Sequence, residues 1–205
     1  MIEHIKNVIY PFGTNSYTVY DTESKNCLII DLGGDFSKII GQAERLGLKV
    51  KAVLLTHGHI DHVQGVTDCK KYNIPVYVSK EDFEILTNQN NLSTYFGLGQ
   101  FNYVADFVLT EGEAEIGGIK ITVIKTSGHT EGWVCFIIGG KLYSGDTLFL
   151  NSFGRTDFPT GNFNKLKDSI INKLFALDGK TEVFPGHEGS TTIERERKYT
   201  PINDY

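Results

Sequence analysis

Three of the chain's six histidines fall within six residues, His57, His59 and His62 in the run T-H-G-H-I-D-H, with Asp61 among them. Imidazole nitrogens and carboxylate oxygens are ligands of zinc, iron and manganese, not of soft, thiophilic metals. His129 in T-S-G-H-T-E-G, His187 in V-F-P-G-H-E-G and Asp146 in L-Y-S-G-D-T-L-F stand in matching settings. Each follows a run that reads as a strand, and each sits beside a glycine, which lets the backbone turn sharply and come close to a ligand. Loops at the carboxyl ends of strands are where open α/β sheets bind ligands. A structural zinc site closes with four ligands, whereas this set offers seven. Seven nitrogen and oxygen donors suit two metals sharing a bridging carboxylate, an arrangement that can clamp the attacking and leaving atoms of a hydrolysis. His4, in an N-terminal strand, stands outside the set and reads as structural.

These donors need a scaffold, and the sequence describes one. I-K-N-V-I-Y, N-S-Y-T-V-Y-D and K-N-C-L-I-I-D-L-G-G read as an antiparallel meander of strands bounded by turn residues. Phe36, Ile39, Ile40, Ala43 and Leu46 recur at helical spacing, with Gly47 as a stop. Residues 51–56 read as a buried strand, Val63 to Tyr72 as a second helix and 74–79 as another strand. Residues 87–106 mix Asn, Gly and aromatics without periodicity and read as a long loop, with Tyr95, Phe96, Phe101 and Tyr103 packing on one another or lining a pocket. Beyond it come a strand at 119–126 and a pair joined by a Gly139–Gly140 turn. An amphipathic helix follows over 163–177, capped by Asn162 or Asn164 and carrying Leu166, Ile170, Leu174 and Leu177 on one face. A short strand at 182–184 and a polar terminal helix close the chain. Strands followed by helices, twice over, predict a four-layer α/β sandwich, two sheets face to face with helices outside, over a single domain 1–205.

Composition narrows the function. With 20 Lys and Arg against 25 Asp and Glu, the net charge of −5 argues against nucleic acid as a partner. No apolar run approaches a membrane span and the N-terminus shows no signal-peptide pattern, so no membrane partner and a cytoplasmic location are expected. Cys27, Cys69 and Cys135 form no CxxC pair and read as three thiols in a reducing compartment, in apolar or helical settings.

The H-x-H-x-D-H motif, followed by His, Asp and His in G-H, G-D and P-G-H settings, resembles the metallo-β-lactamase superfamily of αββα hydrolases over almost the whole chain. The resemblance implies two mixed sheets with helices outside and two divalent ions, zinc first, iron or manganese as alternatives. It implies one ion on His57, His59 and His129, the other on Asp61, His62 and His187, and Asp146 bridging, with Asp61 or Asp146 also orienting the proton of the attacking hydroxide. Asp31 and Thr130 become candidates for holding the ligands in place, Asp31 equally reading as a turn-starting residue.

Within the superfamily, G-D-T-L-F, F-G-R-T-D-F-P-T-G and V-F-P-G-H-E-G-S-T-T-I-E-R-E-R look most like small glyoxalase II-type enzymes, the hydroxyacylglutathione hydrolases. Cysteine at 61 or 146 would have pointed to the antibiotic-hydrolysing branch, and Glu at 59 to the di-iron flavoproteins. Eighteen residues follow His187, so the expected form lacks the C-terminal helical domain of glyoxalase II. The implied substrate is a small-molecule thioester such as S-lactoylglutathione, with Arg155 as a candidate substrate-binding residue or a loop-stabilising arginine. The expected assembly is a monomer or small homo-oligomer. G-R-T-D-F also resembles the persulfide dioxygenases, which hold a single iron on the equivalents of His57, His129 and Asp146. Their last motif usually reads P-A-H where this chain has Pro185-Gly186-His187.

Overall fold

The computed structural model describes residues 1–205. Its first sheet runs in the order β1 (Ile2–Ile9), β2 (Thr14–Asp21), β3 (Asn26–Ile30), β4 (Lys49–Leu54), β5 (Val76–Ser79) and β6 (Phe107–Leu109). The first three strands pair antiparallel, as the meander predicts, and the last three add in parallel. The second sheet runs β7 (Gly112–Ile116), β8 (Ile119–Lys125), β9 (Val134–Ile138), β10 (Lys141–Gly145), β13 (Glu182–Pro185) and β14 (Thr191–Thr192). There only β10 and β13 are parallel. A small hairpin, β11 (Leu148–Phe149) and β12 (Ser152–Phe153), lies apart.

Alternation along the strands explains the layers. Leu28 and Ile30 of β3 and Ala52 and Leu54 of β4 point inward, against Ile119, Ile121, Val134 and Phe136 of the other sheet. Ile29 and Val53 point the other way, against Phe36, Ile39 and Ile40 of α1 (Phe36–Arg45). On the far side, Cys135, Leu142 and Val183 meet Leu166, Ile170 and Leu174 of α4 (Phe163–Asp168) and its continuation, and Ile193 of α5 (Ile193–Tyr199). Strands buried on both faces read as continuous apolar runs. The order helix, sheet, sheet, helix is the expected four-layer sandwich.

Several elements depart from expectation. The second helix is α-helical only over α2 (Ile60–Val63) and continues as a 3-10 helix over Gln64–Tyr72. Gly65, Val66, Thr67, Asp68 and Cys69 are all weak α-helix formers. The helix at 163–177 changes to π geometry over Ser169–Leu174, and Asn162 is its cap, accepting from the Lys165 amide at 3.0 Å. Leu46 is exposed rather than on the buried face, because α1 ends before it. Strands β6 and β7 and the short helix α3 (Lys80–Ile85) are further elements, absent from the expected set. No helix is long and apolar enough to cross a membrane.

Candidate metal centre

Strand ends deliver the seven donors to one place. His57 and His59 follow the end of β4, and His59 caps α2, whose single turn presents Asp61 and His62. His129 follows β8, Asp146 follows β10 after a register shift against β13, and His187 follows β13. Donor atoms gather in three overlapping groups, each within 4.8 Å: His57, His59 and His129; His57, His62 and Asp146; Asp61, His62 and His187. His59 Nδ1 lies 2.8 Å from His129 Nε2. Asp61 Oδ2 lies 3.4 Å from His62 Nε2 and 3.2 Å from His187 Nε2. Asp146 approaches the same two nitrogens at 3.4 and 3.5 Å.

Whether these residues suit a metal can be asked of their free atoms. Nε2 of His57, of His59 and of His62 and Oδ1 of Asp146 are buried without a hydrogen-bond partner. Leaving such groups unpaired costs about 1–3 kcal/mol each, so a native site keeps them for a ligand. His62 Nε2 sits near two carboxylate oxygens, yet neither contact is aligned as a hydrogen bond. The donor set therefore fits divalent cations.

The opposite ring nitrogens are fixed by the fold. His62 Nδ1 donates to Asp31 Oδ2 at 2.8 Å, and His129 Nδ1 donates to the Arg155 carbonyl at 2.6 Å. Thr56 donates its hydroxyl to Asp31 Oδ2 at 2.8 Å, leaving its oxygen to accept from His57 Nδ1 at 3.0 Å. Asp31 Oδ1 accepts the Thr56 amide at 2.8 Å. One buried carboxylate thus orients two imidazoles so that each presents its Nε2 lone pair, as metal-ligating histidines require. Of the two readings of Asp31, orientation of the histidines is the one the geometry supports. On the opposite side, Thr14 donates to Asp61 Oδ2 at 3.1 Å, and the Asn15 side chain and the Tyr17 hydroxyl hold the Pro185 carbonyl at 2.8 and 2.7 Å.

Electrostatics divide the site. Burial, reinforced by neighbouring imidazoles, holds His57 and His59 well below the usual histidine pKa, and burial also lowers His129. Burial alone would lower His62 and His187 as well, but the Asp61 and Asp146 carboxylates outweigh it, raising His62 well above its ordinary value and His187 to about 9. Those imidazoles in turn hold both carboxylates well below the carboxylate range against the opposing effect of burial. The two aspartates demand positive charge.

One residue of this region lies outside the expected set. Asp82, in the first turn of α3, is fully buried and accepts from the Gly58 amide at 2.9 Å, the Thr130 hydroxyl at 2.8 Å and the Gly132 amide at 2.9 Å. Burial outweighs these bonds and raises its pKa to about 6. The sequence marks only a helix start there, S-K-E-D at 79–82 with Ser79 capping the Asp82 amide, and not the partners of the carboxylate.

A cavity of about 300 Å³ opens onto the donors. Leu92, Phe96, Phe149, Phe153 and Phe158 form its apolar wall, opposite His59, Asp61, His129, Asp146 and His187. Of the four loop aromatics, Phe96 lines this cavity, Tyr95 packs on Phe96 and Phe158, and Phe101 and Tyr103 join the core beneath. Arg155 stands at the mouth, its guanidinium 4.0 Å from the Phe158 ring centre and paired bidentately with Asp157 at 2.6 Å. The Arg155 side chain borders the cavity while pairing within its own loop, and its backbone carbonyl orients His129. His4 is structural, bonded to the Tyr143 hydroxyl at 3.1 Å among Tyr17 and Phe184. All three cysteines are free and buried.

The family model for the metallo-beta-lactamase superfamily matches residues 9–187. The chain belongs to that superfamily. Among its relatives is hydroxyacylglutathione hydrolase GloC of Haemophilus influenzae, 36% identical, with 93% of each chain covered. The crystal structure of BLEG-1 B3 metallo-beta-lactamase superposes with a TM-score of 0.91 at 34% identity, covering 98% of this chain and 99% of that one. The structure of TTHA1623 in a di-iron-bound form superposes with a TM-score of 0.87 at 30% identity, covering 97% and 99%. A Cβ on Gly33 would lie 1.8 Å from the Asp61 carbonyl oxygen, so the turn after β3 must be bare to pass α2.

Proposed function

We propose that the protein is a metal-dependent hydrolase that cleaves a small-molecule thioester of the S-lactoylglutathione type. His57, His59 and His129 would hold one divalent ion, Asp61, His62 and His187 a second, and Asp146, within reach of both groups, would bridge them. The observation that carries this reading is the convergence of seven donors with three imidazole nitrogens and one carboxylate oxygen buried and unpaired. The full-length similarity to GloC supports the acyl-thiol class. Zinc suits the donor chemistry, and the di-iron form of TTHA1623 supports iron as an alternative.

When bound, such ions supply Lewis acidity and lower the pKa of water toward neutrality. The chain's own residues do the rest. Asp61 and Asp146 line the cavity, and one or both hold the proton of the attacking water. Thr14 fixes the Asp61 carboxylate at 3.1 Å. Leu92, Phe96 and Phe158 exclude bulk water and receive the apolar part of the substrate, and Arg155 meets polar groups at the mouth.

Gly186 favours hydrolysis over the persulfide dioxygenase alternative. A Cβ there would lie 2.2 Å from Asp146 Oδ1 and 2.7 Å from His62 Cε1. Without one, His187 closes on Asp61 and completes the second donor group. The test is metal content of protein purified without added metal, with hydrolysis of S-lactoylglutathione and of a cephalosporin followed in the same preparation. About two Zn, Mn or Fe per chain with thioester turnover is expected. A single iron, no hydrolysis, and oxygen uptake with a glutathione persulfide would overturn the reading. Cephalosporin turnover without thioester turnover would move the substrate class to lactams.

A further inference from the structure

Asp82 is a carboxylate with no polar work of its own to do on the surface, wholly buried at the start of α3. Its three side-chain partners are neutral donors, and all come from the two loops that carry His57, His59 and His129. Gly58 lies between His57 and His59, and Thr130 directly follows His129. Oδ2 accepts from both loops at once, from the Gly58 amide at 2.9 Å and the Thr130 hydroxyl at 2.8 Å. Oδ1 takes the Gly132 amide at 2.9 Å.

The two glycines show how closely both loops press on this turn. A Cβ on Gly132 would lie 2.3 Å from Ser79 Oγ and 2.5 Å from Asp82 Oδ1, and one on Gly58 would lie 2.7 Å from Ile85 Cγ2. Asp61, His62 and the Pro185 carbonyl ahead of His187 are held instead by Thr14, Asp31 and Asn15, Asp31 reaching His57 as well through Thr56. Asp82 touches none of them. Burying a carboxylate without a cation is costly unless its hydrogen bonds are needed, and simple packing would be served by an apolar side chain.

We propose that Asp82 is a positioning residue that clamps the loop of His57 and His59 to the loop of His129, setting the geometry of that metal position more than that of the other. This rests on the two-metal reading given above. Asn at 82 would turn an amide NH₂ toward an N–H or O–H donor and open the clamp with little change of volume.

The experiment titrates Zn²⁺ into metal-free wild type, Asp82→Asn, Thr130→Val and Thr130→Ser against a chromophoric chelator. Emission of Trp133, which stacks on His57, is recorded in parallel, as is thermal unfolding of each metal-free form. Wild type is expected to take two ions. Asp82→Asn should take one at wild-type affinity and the other roughly 10–100-fold more weakly, the range seen when groups orienting metal ligands are removed, with the Trp133 response moving to the weak phase. Thr130→Val should shift the same phase by less, and Thr130→Ser, which keeps the hydroxyl, should restore it. Two ions at wild-type affinity in Asp82→Asn would overturn the inference, as would equal weakening of both ions in step with a lower unfolding temperature. If Asp82→Asn does not fold, Thr130→Val decides in the same way. Wild type taking no metal would defeat the metal reading itself, whereas two ions in wild type and in every variant would defeat the Asp82 clamp alone.

Discussion

The Trp133 indole lies stacked on the His57 imidazole, with ring centres 3.7 Å apart and planes 23° apart, and it meets the His129 ring edge-on at 4.6 Å. Trp133 is the chain's single tryptophan and is completely buried. Gly145 makes room for it, since a Cβ there would lie 2.8 Å from Trp133 Cζ2. The indole emission should therefore change as an ion fills the His57, His59 and His129 position, and return when a chelator removes it. Trp133→Ala should cost about 3–5 kcal/mol of stability through the cavity it leaves. Emission that stays constant while bound metal rises would show that the stack does not report on that position.

Asp31 carries two histidines at once. In Asp31→Asn, one oxygen becomes an amide that donates where His62 Nδ1 and Thr56 also donate. The imidazole of His62 is then driven to the tautomer whose Nε2–H points at Asp61 and Asp146. Metal affinity should fall about 10–100-fold while the metal-free protein stays folded. Isothermal titration of both proteins measures this, and equal affinities would remove Asp31 from the centre.

The legible part of this molecule was the part written in types and spacing. His57, His59, Asp61 and His62 sit in one short run, and His129, Asp146 and His187 each follow a strand and adjoin a glycine, so residue type and position together announced the donors. The apolar runs through β3 and β4 announced strands buried on both faces. Asp82 and Trp133 were not legible, because their roles depend on which loops a fold brings together. Nothing local to Asp82 says that Gly58 and Gly132 will meet at its carboxylate, 24 and 50 residues away. The 3-10 stretch after α2 failed for another reason, a helical spacing carried by residues with little α preference.

His59→Ala should abolish thioester turnover with the fold intact, because His59 faces the cavity from a loop and its removal leaves the strands untouched. A loss of at least about a hundredfold in kcat/KM is expected if one ion is lost or displaced. Circular dichroism checks the fold and a thioester assay the rate. Full activity in this variant would rule out His59 as a ligand.

Gly186→Ala is a one-carbon test of how tightly the second donor group closes. The added methyl cannot avoid Asp146 Oδ1 without moving the loop that carries His187. Turnover should drop about tenfold or more, the scale expected when a reacting group is displaced by a fraction of an ångström to an ångström. Metal content should fall at the Asp61, His62 and His187 position first. A variant with wild-type kcat/KM would mean that His187 need not approach Asp146 for the reaction.

Removing metal should make stability depend on pH through His187. Burial would lower its pKa, but Asp146 and Asp61 raise it to about 9 in the folded chain, above its unfolded value of about 6.5. A raised pKa contributes stability that is fully present below pH 6.5 and is lost as pH climbs through 9. Asp61 and Asp146 are depressed instead, so their contribution is present above about pH 4 and is lost on acidification. The metal-free protein should then melt highest between those limits and lower at pH 9.5 than at pH 6.5. A divalent ion must displace the protons that the raised His62 and His187 imidazoles carry in the metal-free chain. Metal binding at pH 7.5 should accordingly release protons, seen as a calorimetric heat that changes with the ionisation enthalpy of the buffer. A heat independent of the buffer would show that His62 and His187 are both already neutral before the metal arrives.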